Sequence, residues 1–132
     1  MKDTDLAWAA GFFDGEGCVL LRKSRNTYVV RITVSQVNPA PIVKFKRLFG
    51  GHISEQKPKN KSWKEQWKWE QDAKSGVETL LQLLPYLVVK RDVADLAIEF
   101  QKTKRKGRIA TKEVIDLELE FKSKISNLNR KD

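Results

Sequence analysis

The chain has 132 residues, of which 40% are hydrophobic and 33% are charged. This length and composition predict one folded domain over residues 1–132 and exclude a disordered chain. The net charge of +9 favours a polyanionic partner. No apolar run approaches the roughly 18 residues of a membrane span, so no membrane partner is expected. The single cysteine excludes an internal disulfide and fits a reducing compartment.

The first predicted element is a helix over residues 6–17, preceded by residue types that begin helices, Asp3, Thr4 and Asp5. Its apolar side chains recur at helical spacing in two rows. These rows are Leu6, Ala9, Ala10 and Phe13, and then Trp8 and Phe12. A helix that is apolar nearly all round is typical of an element buried between neighbours.

One side of this helix carries very little side chain and would let another backbone approach closely. The residues on this side are Ala7, Ala10, Gly11 and Gly15. The helix ends in Asp14 and Glu16, which face the negative pole of its dipole at a cost of about 0.3–1 kcal/mol each when exposed. A divalent cation would offset that cost. The alternative is that both carboxylates are solvated beside a glycine C-cap and bind no cation.

Two β-hairpins with a helix between them follow. Residues 18–25 and 28–35 form the first, and Asn38 then begins a helix that ends at Gly50 and Gly51. Residues 52–57 and 63–72 form the second hairpin, with a lysine-rich turn over 58–62. In its second strand Trp63, Trp67 and Trp69 share one parity, whereas Lys64, Gln66, Lys68 and Glu70 share the other. This alternation predicts a sheet with one covered face and one open face.

If the four strands form one sheet, its open face is polar and basic. The side chains expected there are Arg22, Arg31, Thr33, Lys64, Gln66 and Lys68. For any one strand an ordinary half-solvated sheet is the better explanation, and it is the repetition across strands that favours a binding surface.

Three further helices are predicted. Ser75 and Glu78 form a capping box before the first, whose expected core stripe is Val77, Leu80, Leu81 and Leu84. The second covers residues 90–104, with Val93, Leu96, Ala97 and Phe100 buried, and the third opens at Thr111. The basic run over 102–108 is either a solvated helix end or a loop that rests on phosphates.

Residues 9–17, Ala-Ala-Gly-Phe-Phe-Asp-Gly-Glu-Gly, resemble the signature of the LAGLIDADG homing endonucleases. Ala9 replaces the usual leucine, Phe12 and Phe13 replace an aliphatic pair, and Glu16 replaces the commoner aspartate. The predicted order α-β-β-α-β-β-α also matches the family's core, so the resemblance covers almost the whole chain. It implies an α+β, αββαββα fold with an antiparallel DNA-binding sheet and additional C-terminal helices.

The resemblance implies a site-specific endonuclease that cuts a long, near-palindromic site in double-stranded DNA and leaves short 3′ overhangs. It makes Glu16 and the carbonyl of Gly17 metal ligands, with Gln36 and Lys90 as further catalytic residues. Oxygen ligands favour Mg²⁺, and no small-molecule cofactor is expected. One motif per chain predicts a homodimer, and the interface residues are expected to be Ala7, Ala10, Gly11, Asp14 and Gly15. Asp14 is expected to hydrogen-bond helix ends rather than bind metal.

DNA contacts are expected from the open face and its turns. The candidates are Arg22, Ser24, Arg25, Asn26, Arg31, Thr33, Gln56, Lys64, Gln66 and Lys68. Family members often carry a basic residue near Ala40, which this chain lacks, and Lys44 or Arg91 could take its place.

Two other functions remain open at this point. One is a cleavage-inactive member of the family that acts as an intron RNA maturase or a DNA-binding regulator. The other is a basic α+β nucleic-acid-binding module without any family connection. The expected location is the cytoplasm or nucleoid, or the matrix or stroma of an organelle.

Overall fold

The structure is a computed structural model, and it describes residues 1–60, 64–104 and 111–131. The helices are α1 (Asp3–Glu16), α2 (Pro39–Phe49), α3 (Ala73–Leu83), α4 (Arg91–Lys102) and α5 (Lys112–Lys131). The strands are β1 (Gly17–Ser24), β2 (Thr27–Gln36), β3 (His52–Gln56) and β4 (Gln66–Asp72), and a 3₁₀ turn covers Leu84–Tyr86. The α+β class and the predicted element order are confirmed. The turn of the first hairpin lies at Arg25 and Asn26, one residue earlier than expected.

The four strands form one antiparallel sheet in the order β1-β2-β4-β3. Alternate residues are buried beneath the helices and define the covered face: Val19, Leu21, Val30, Ile32, Val34 and Trp69. The residues between them define the open face: Cys18, Leu20, Arg22 and Ser24 in β1, Val29, Arg31, Thr33 and Ser35 in β2, Ser54 and Gln56 in β3, and Gln66, Lys68, Glu70 and Asp72 in β4. The predicted two-faced sheet is therefore present, although Trp63 lies outside the described residues.

Helix α1 packs on the covered face through one side only. Ala9, Ala10 and Phe13 are fully buried, and the rings of Trp8 and Phe12 lie 5.5 and 6.0 Å from that of Phe45 in α2. The N-cap residue is Lys2, without a side-chain cap hydrogen bond, because the helix already begins at Asp3. Of the predicted side of small residues, Ala7, Gly11 and Gly15 face away from the core.

Two details of α3 differ from prediction. Because the helix begins at Ala73, Ser75 lies inside its first turn, so the predicted capping box is wrong. The helix docks through a row that includes Gly76, Leu80 and Leu83, which leaves Leu81 50% exposed instead of buried.

Helix α5 is held against the first hairpin by a buried polar group. The carboxylate of Glu118 is 2% exposed and accepts hydrogen bonds from Lys104 Nζ, at 2.6 Å, and from the hydroxyl of Thr27. The Thr111 hydroxyl accepts the Val114 N–H at 3.3 Å, as expected of a residue that opens this helix. Of the basic run over 102–108, residues 105–108 lie outside the described residues. No described helix has the length and apolar character that crossing a membrane requires.

Candidate functional site

Helix α1 runs directly into β1 at Glu16 and Gly17. The N–H of Gly17 donates to the carbonyl of Phe13, and a Cβ built on Gly17 would lie 2.5 Å from Phe13 Cδ1. Only glycine fits this junction, because any side chain would collide with the buried ring. The junction leaves the Glu16 carboxylate exposed where the helix ends and the sheet begins.

Asp14 is bound by the chain segment that leads into α4. Its carboxylate accepts the backbone N–H groups of Val88, Val89 and Lys90 at 2.9, 3.1 and 3.0 Å. These donors offset the unfavourable position of Asp14 in the helix dipole without a cation. The geometry agrees with the expected helix-end role, and it fixes Lys90 beside the last turn of α1.

Gln36 lies at the same end of the sheet as Glu16. Gly17 pairs with Val34, and Gln36 follows Val34 by two residues at the end of β2. The side-chain oxygen of Gln36 accepts the N–H of Val37 at 2.9 Å, which fixes the direction of its amide. The three candidate catalytic residues are thus brought to one end of the sheet.

Two lysines also approach this end of the sheet. Burial raises the pKa of the Cys18 thiol, and the ammonium groups of Lys90 and Lys68 lower it in part. Lys68 pairs with Ser35, the residue before Gln36, in the strand register. The N–H of Lys90 donates to Asp14 near the end of α1, so both lysines lie at this end of the sheet. Lys68 was expected only among the DNA contacts, and its position beside the motif is a finding of the structure.

Lys44 does not take the place of the basic residue missing near Ala40. Its Nζ lies 3.7 Å from Asp5 Oδ1 and 4.2 Å from the centre of the Trp8 ring. Asp5 and Glu16 are separated by about 16 Å along α1, at 1.5 Å per residue. Lys44 therefore acts at the opposite end of the helix, and Lys68 is better placed.

One chain supplies only part of a metal site. Within the described ranges, no three His, Cys, Asp or Glu side chains lie close enough together to hold a metal ion. The exposed Glu16 carboxylate and nearby backbone carbonyls are hard oxygen donors of the type that Mg²⁺ and Ca²⁺ prefer, but those ions take six or more ligands. The donors fit a divalent cation, and the remaining ligands must come from elsewhere.

Most expected DNA contacts occupy the open face or its hairpin turns. Arg25 and Asn26 form the exposed turn of the first hairpin. Beside the second hairpin, a cleft of about 470 Å³ is lined by Gln56, Lys57, Pro58, Lys64 and Gln66. Ser24 is partly buried, and Thr33 is only 8% exposed. Little of the Thr33 side chain is therefore accessible on the open face.

Acidic side chains join the cations at the centre of the open face. Asp72 binds both Arg22 and Arg31, and Glu70 lies 3.5 Å from Arg31 Nη1 and 3.7 Å from Lys68 Nζ. Hydrogen bonding from Arg31 holds the pKa of Asp72 below its usual range. Sequence reasoning missed Asp72 as a site residue, although the alternation along the predicted strand already placed it on this face.

The side of α1 with small residues is open. Ala7, Gly11 and Gly15 are exposed, and a Cβ on either glycine would meet nothing within 4 Å. Ala10 is fully buried inside the chain, so its assignment to the interface is wrong.

A patch of exposed apolar side chains adjoins this side of α1, and sequence reasoning missed it. It consists of Tyr86, Val88 and Val89, which are 37%, 81% and 55% exposed. The patch follows the 3₁₀ turn that packs against α1, and its last two residues donate to Asp14. The apolar run after Pro85 was the available sequence signal.

No protein-family model and no curated protein sequence matches the chain. Solved structures do match it. The homing endonuclease I-CvuI, in complex with its target in the presence of 2 mM Ca, is 24% identical with a TM-score of 0.75, covering 95% of this chain and 82% of its own. The archaeal intron-encoded homing endonuclease I-Vdi141I, complexed with DNA, is 14% identical with a TM-score of 0.76, covering 97% and 86%.

The LAGLIDADG meganuclease I-AabMI, bound to uncleaved DNA, matches over a smaller share of its own length. It is 20% identical with a TM-score of 0.64, covering 88% of this chain and 43% of its own. At these identities the likeness shows the fold. The protein therefore has the fold of the LAGLIDADG homing endonucleases.

Proposed function

We propose that the protein is a homodimeric, metal-dependent LAGLIDADG homing endonuclease, which hydrolyses both strands of a long, near-palindromic DNA site and leaves short 3′ overhangs. The observation that carries this proposal is the exposed Glu16 carboxylate at the end of α1, on a helix whose outer side is open to a second copy. A reducing compartment, the cytoplasm or nucleoid or an organelle's interior, fits the free Cys18.

Dimerisation would complete the site. Exposed Gly11 and Gly15 let two α1 helices pack backbone to backbone, and Val88 and Val89 would be covered beside them. A two-fold axis along this side brings the two Glu16 carboxylates together. The chain spans most of I-CvuI but less than half of I-AabMI. This size supports two copies of the chain for each DNA site.

The pair of Glu16 carboxylates and the Gly17 carbonyls would hold the divalent ions. Such ions activate water, neutralise phosphate charge and stabilise the leaving oxygen when bound. Structures of I-CvuI with DNA were obtained in the presence of calcium and of magnesium. Mg²⁺ is our proposal for this protein.

The remaining roles belong to polar side chains at the same end of the sheet. Gln36 would hydrogen-bond the attacking water and orient it towards the phosphorus. Lys90, positioned by Asp14, would contact the scissile phosphate and counter the charge that builds up on it. Lys68, which pairs with Ser35 from β4, would supply the cation that is missing near Ala40.

Cleavage of a randomised DNA pool in Mg²⁺ tests the proposal and identifies the target at once. Wild-type protein should enrich one near-palindromic family of cut sites, and Glu16→Gln should bind these sites without cutting them. Glu78→Gln makes the same charge change on the exposed surface of α3 and should cut normally.

Two results would reject the proposed endonuclease activity, one from this experiment and one from sedimentation of the protein. Binding without cutting by the wild type, under every divalent ion tried, would favour a maturase or DNA-binding regulator. A protein that stays monomeric with and without DNA would favour an unrelated binding module.

A further inference from the structure

Two arginines of the open face share one carboxylate. Arg31 donates from Nε to Asp72 Oδ1 at 2.8 Å and from Nη2 to Oδ2 at 3.1 Å. Arg22 donates from Nε to the same Oδ2 at 3.1 Å. Because these residues lie on β2, β4 and β1 respectively, the contact crosses three strands of the sheet.

The carboxylate of Asp72 serves these arginines rather than the helix that follows it. Asp72 is the N-cap residue of α3, a position where aspartate normally accepts a backbone N–H. Its side chain makes no cap hydrogen bond. The contact with the arginines thus replaces the N-cap hydrogen bond, and it directs the carboxylate of Asp72 to the open face.

The geometry leaves the far ends of both guanidiniums directed away from Asp72. Arginine has five N–H donors, and Asp72 engages the edge formed by Nε and Nη2 in Arg31 and in Arg22. The Nη1 and Nη2 hydrogens at the far end form a second fork, and in Arg31 the Nη1 of that fork lies 3.5 Å from Glu70, which is longer than a normal hydrogen bond. That fork matches the O6 and N7 acceptors of guanine in the major groove.

The charges at this place favour base edges over phosphates. Glu70 and Asp72 put two carboxylates among the cations at the centre of the face, where they would repel a phosphate. Carboxylates can instead accept the N4 amino group of cytosine. Cations at the rim, such as exposed Arg25 and Lys64, are better suited to the DNA backbone.

We propose that Asp72 is a positioning residue for base recognition, which holds Arg22 and Arg31 so that they read the guanines of two neighbouring G·C pairs in each half-site. Arg22 Nε and Arg31 Nη2 each lie 3.1 Å from the same oxygen, Asp72 Oδ2, so the two guanidiniums are held side by side. Stacked bases are about 3.4 Å apart, so neighbouring pairs are within reach. This inference rests on the proposed function, because half-sites require a dimer on specific DNA.

The experiment uses the full-length Glu16→Gln protein, which should bind without cutting. Sites are selected from randomised duplex DNA, and dissociation constants are measured for each base change in the selected site. Replacing either guanine should weaken binding on the order of 10- to 100-fold. With Asp72→Asn added, the penalty should fall to a few-fold at these two positions and stay unchanged elsewhere.

Three variants separate positioning from a merely structural role. Asp72→Asn keeps an acceptor oxygen for the arginines, so the protein should stay folded with a melting temperature lowered by only a few degrees. It should not weaken binding to unrelated DNA, since it removes a negative charge. Arg31→Lys keeps the charge but loses the fork, and it should relax one of the same two positions. Glu78→Gln should change no base preference.

Full guanine discrimination in Asp72→Asn would overturn the inference while leaving the endonuclease intact. Selected sites with no G·C pair sensitive to Arg31→Lys would also overturn it, even if Asp72→Asn folds poorly. A wild-type protein that selects no sequence at all would reject the proposed function, and the inference with it.

Discussion

The carboxylate of Asp14, two residues before the end of α1, accepts the backbone N–H of Lys90 at 3.0 Å, across 76 positions of sequence. Val88 and Val89 donate to the same carboxylate. The last turn of the motif helix and the start of α4 are thereby fixed to each other. A residue that would bind no metal thus sets the position of the lysine proposed to contact the phosphate.

Replacing Asp14 with alanine should lower both stability and cleavage. Three backbone donors would lose their acceptor, and losing a helix-cap acceptor costs about 0.5–2 kcal/mol. Lys90 would also lose its fixed position, so kcat should fall further than the loss of folded protein explains. Urea unfolding and single-turnover cleavage measure the two effects. Asp14→Asn keeps an acceptor oxygen and should lie between wild type and alanine, and equal cleavage by all three proteins would contradict the role of Asp14.

Placing leucine at Gly11 should prevent dimerisation without unfolding the chain. The Cβ position there meets nothing within 4 Å, so the folded monomer can accept a side chain. In a dimer, by contrast, that side chain would lie between two closely packed backbones. Sedimentation should show a monomer with a normal melting temperature, and cleavage should be lost. Ser123→Leu on the exposed surface of α5 is the matched control, and a Gly11→Leu dimer that still cuts would place the interface elsewhere.

Much of this arrangement was predictable from sequence, because strand alternation and helical spacing are local patterns. The two-faced sheet and the open side of α1 both follow from them. The hydrogen-bond partners of Asp14 and Asp72 could not be predicted, because each contact joins segments that only the tertiary fold brings together. Ala10 shows the same limit: its small side chain fits either a helix interface or the core, and only packing assigns it to the core.

The buried carboxylate of Glu118 should make the protein less stable in acid. Burial raises its pKa, but hydrogen bonds from Lys104 and Thr27 outweigh that effect and leave the pKa below its usual value. The folded state therefore releases this proton more readily than the unfolded chain, whose glutamate pKa is near 4.3. The resulting stability is fully present above that pH and is lost as the pH falls through the lower, folded pKa.

Glu118→Gln tests this contribution directly. At pH 7 it should lower the free energy of unfolding by about 1–3 kcal/mol, because a charge-assisted contact is lost. Between pH 5 and 3 its stability should fall less steeply than that of the wild type, as urea unfolding at each pH would show. Glu120→Gln removes an exposed ion pair with Lys124 on the same helix and should change stability by less than about 1 kcal/mol. Identical pH profiles for wild type and Glu118→Gln would refute the assignment.

Arg25 is expected to lower the stability of the fold while it raises the affinity for DNA. It is the first residue of the two-residue turn between β1 and β2 and has a φ of +56°. This left-handed backbone conformation costs a residue with a Cβ roughly 1–2 kcal/mol. Arg25→Gly removes that strain but adds about 0.5–1 kcal/mol of unfolded-state entropy, so the melting temperature should rise slightly. DNA affinity should nevertheless fall, and the slope of log K against log salt should shrink by about 0.9 if one phosphate contact is lost. Arg25→Lys keeps both the charge and the strain, so it should match the wild type in both measurements; unchanged affinity in Arg25→Gly would remove the turn from the DNA interface.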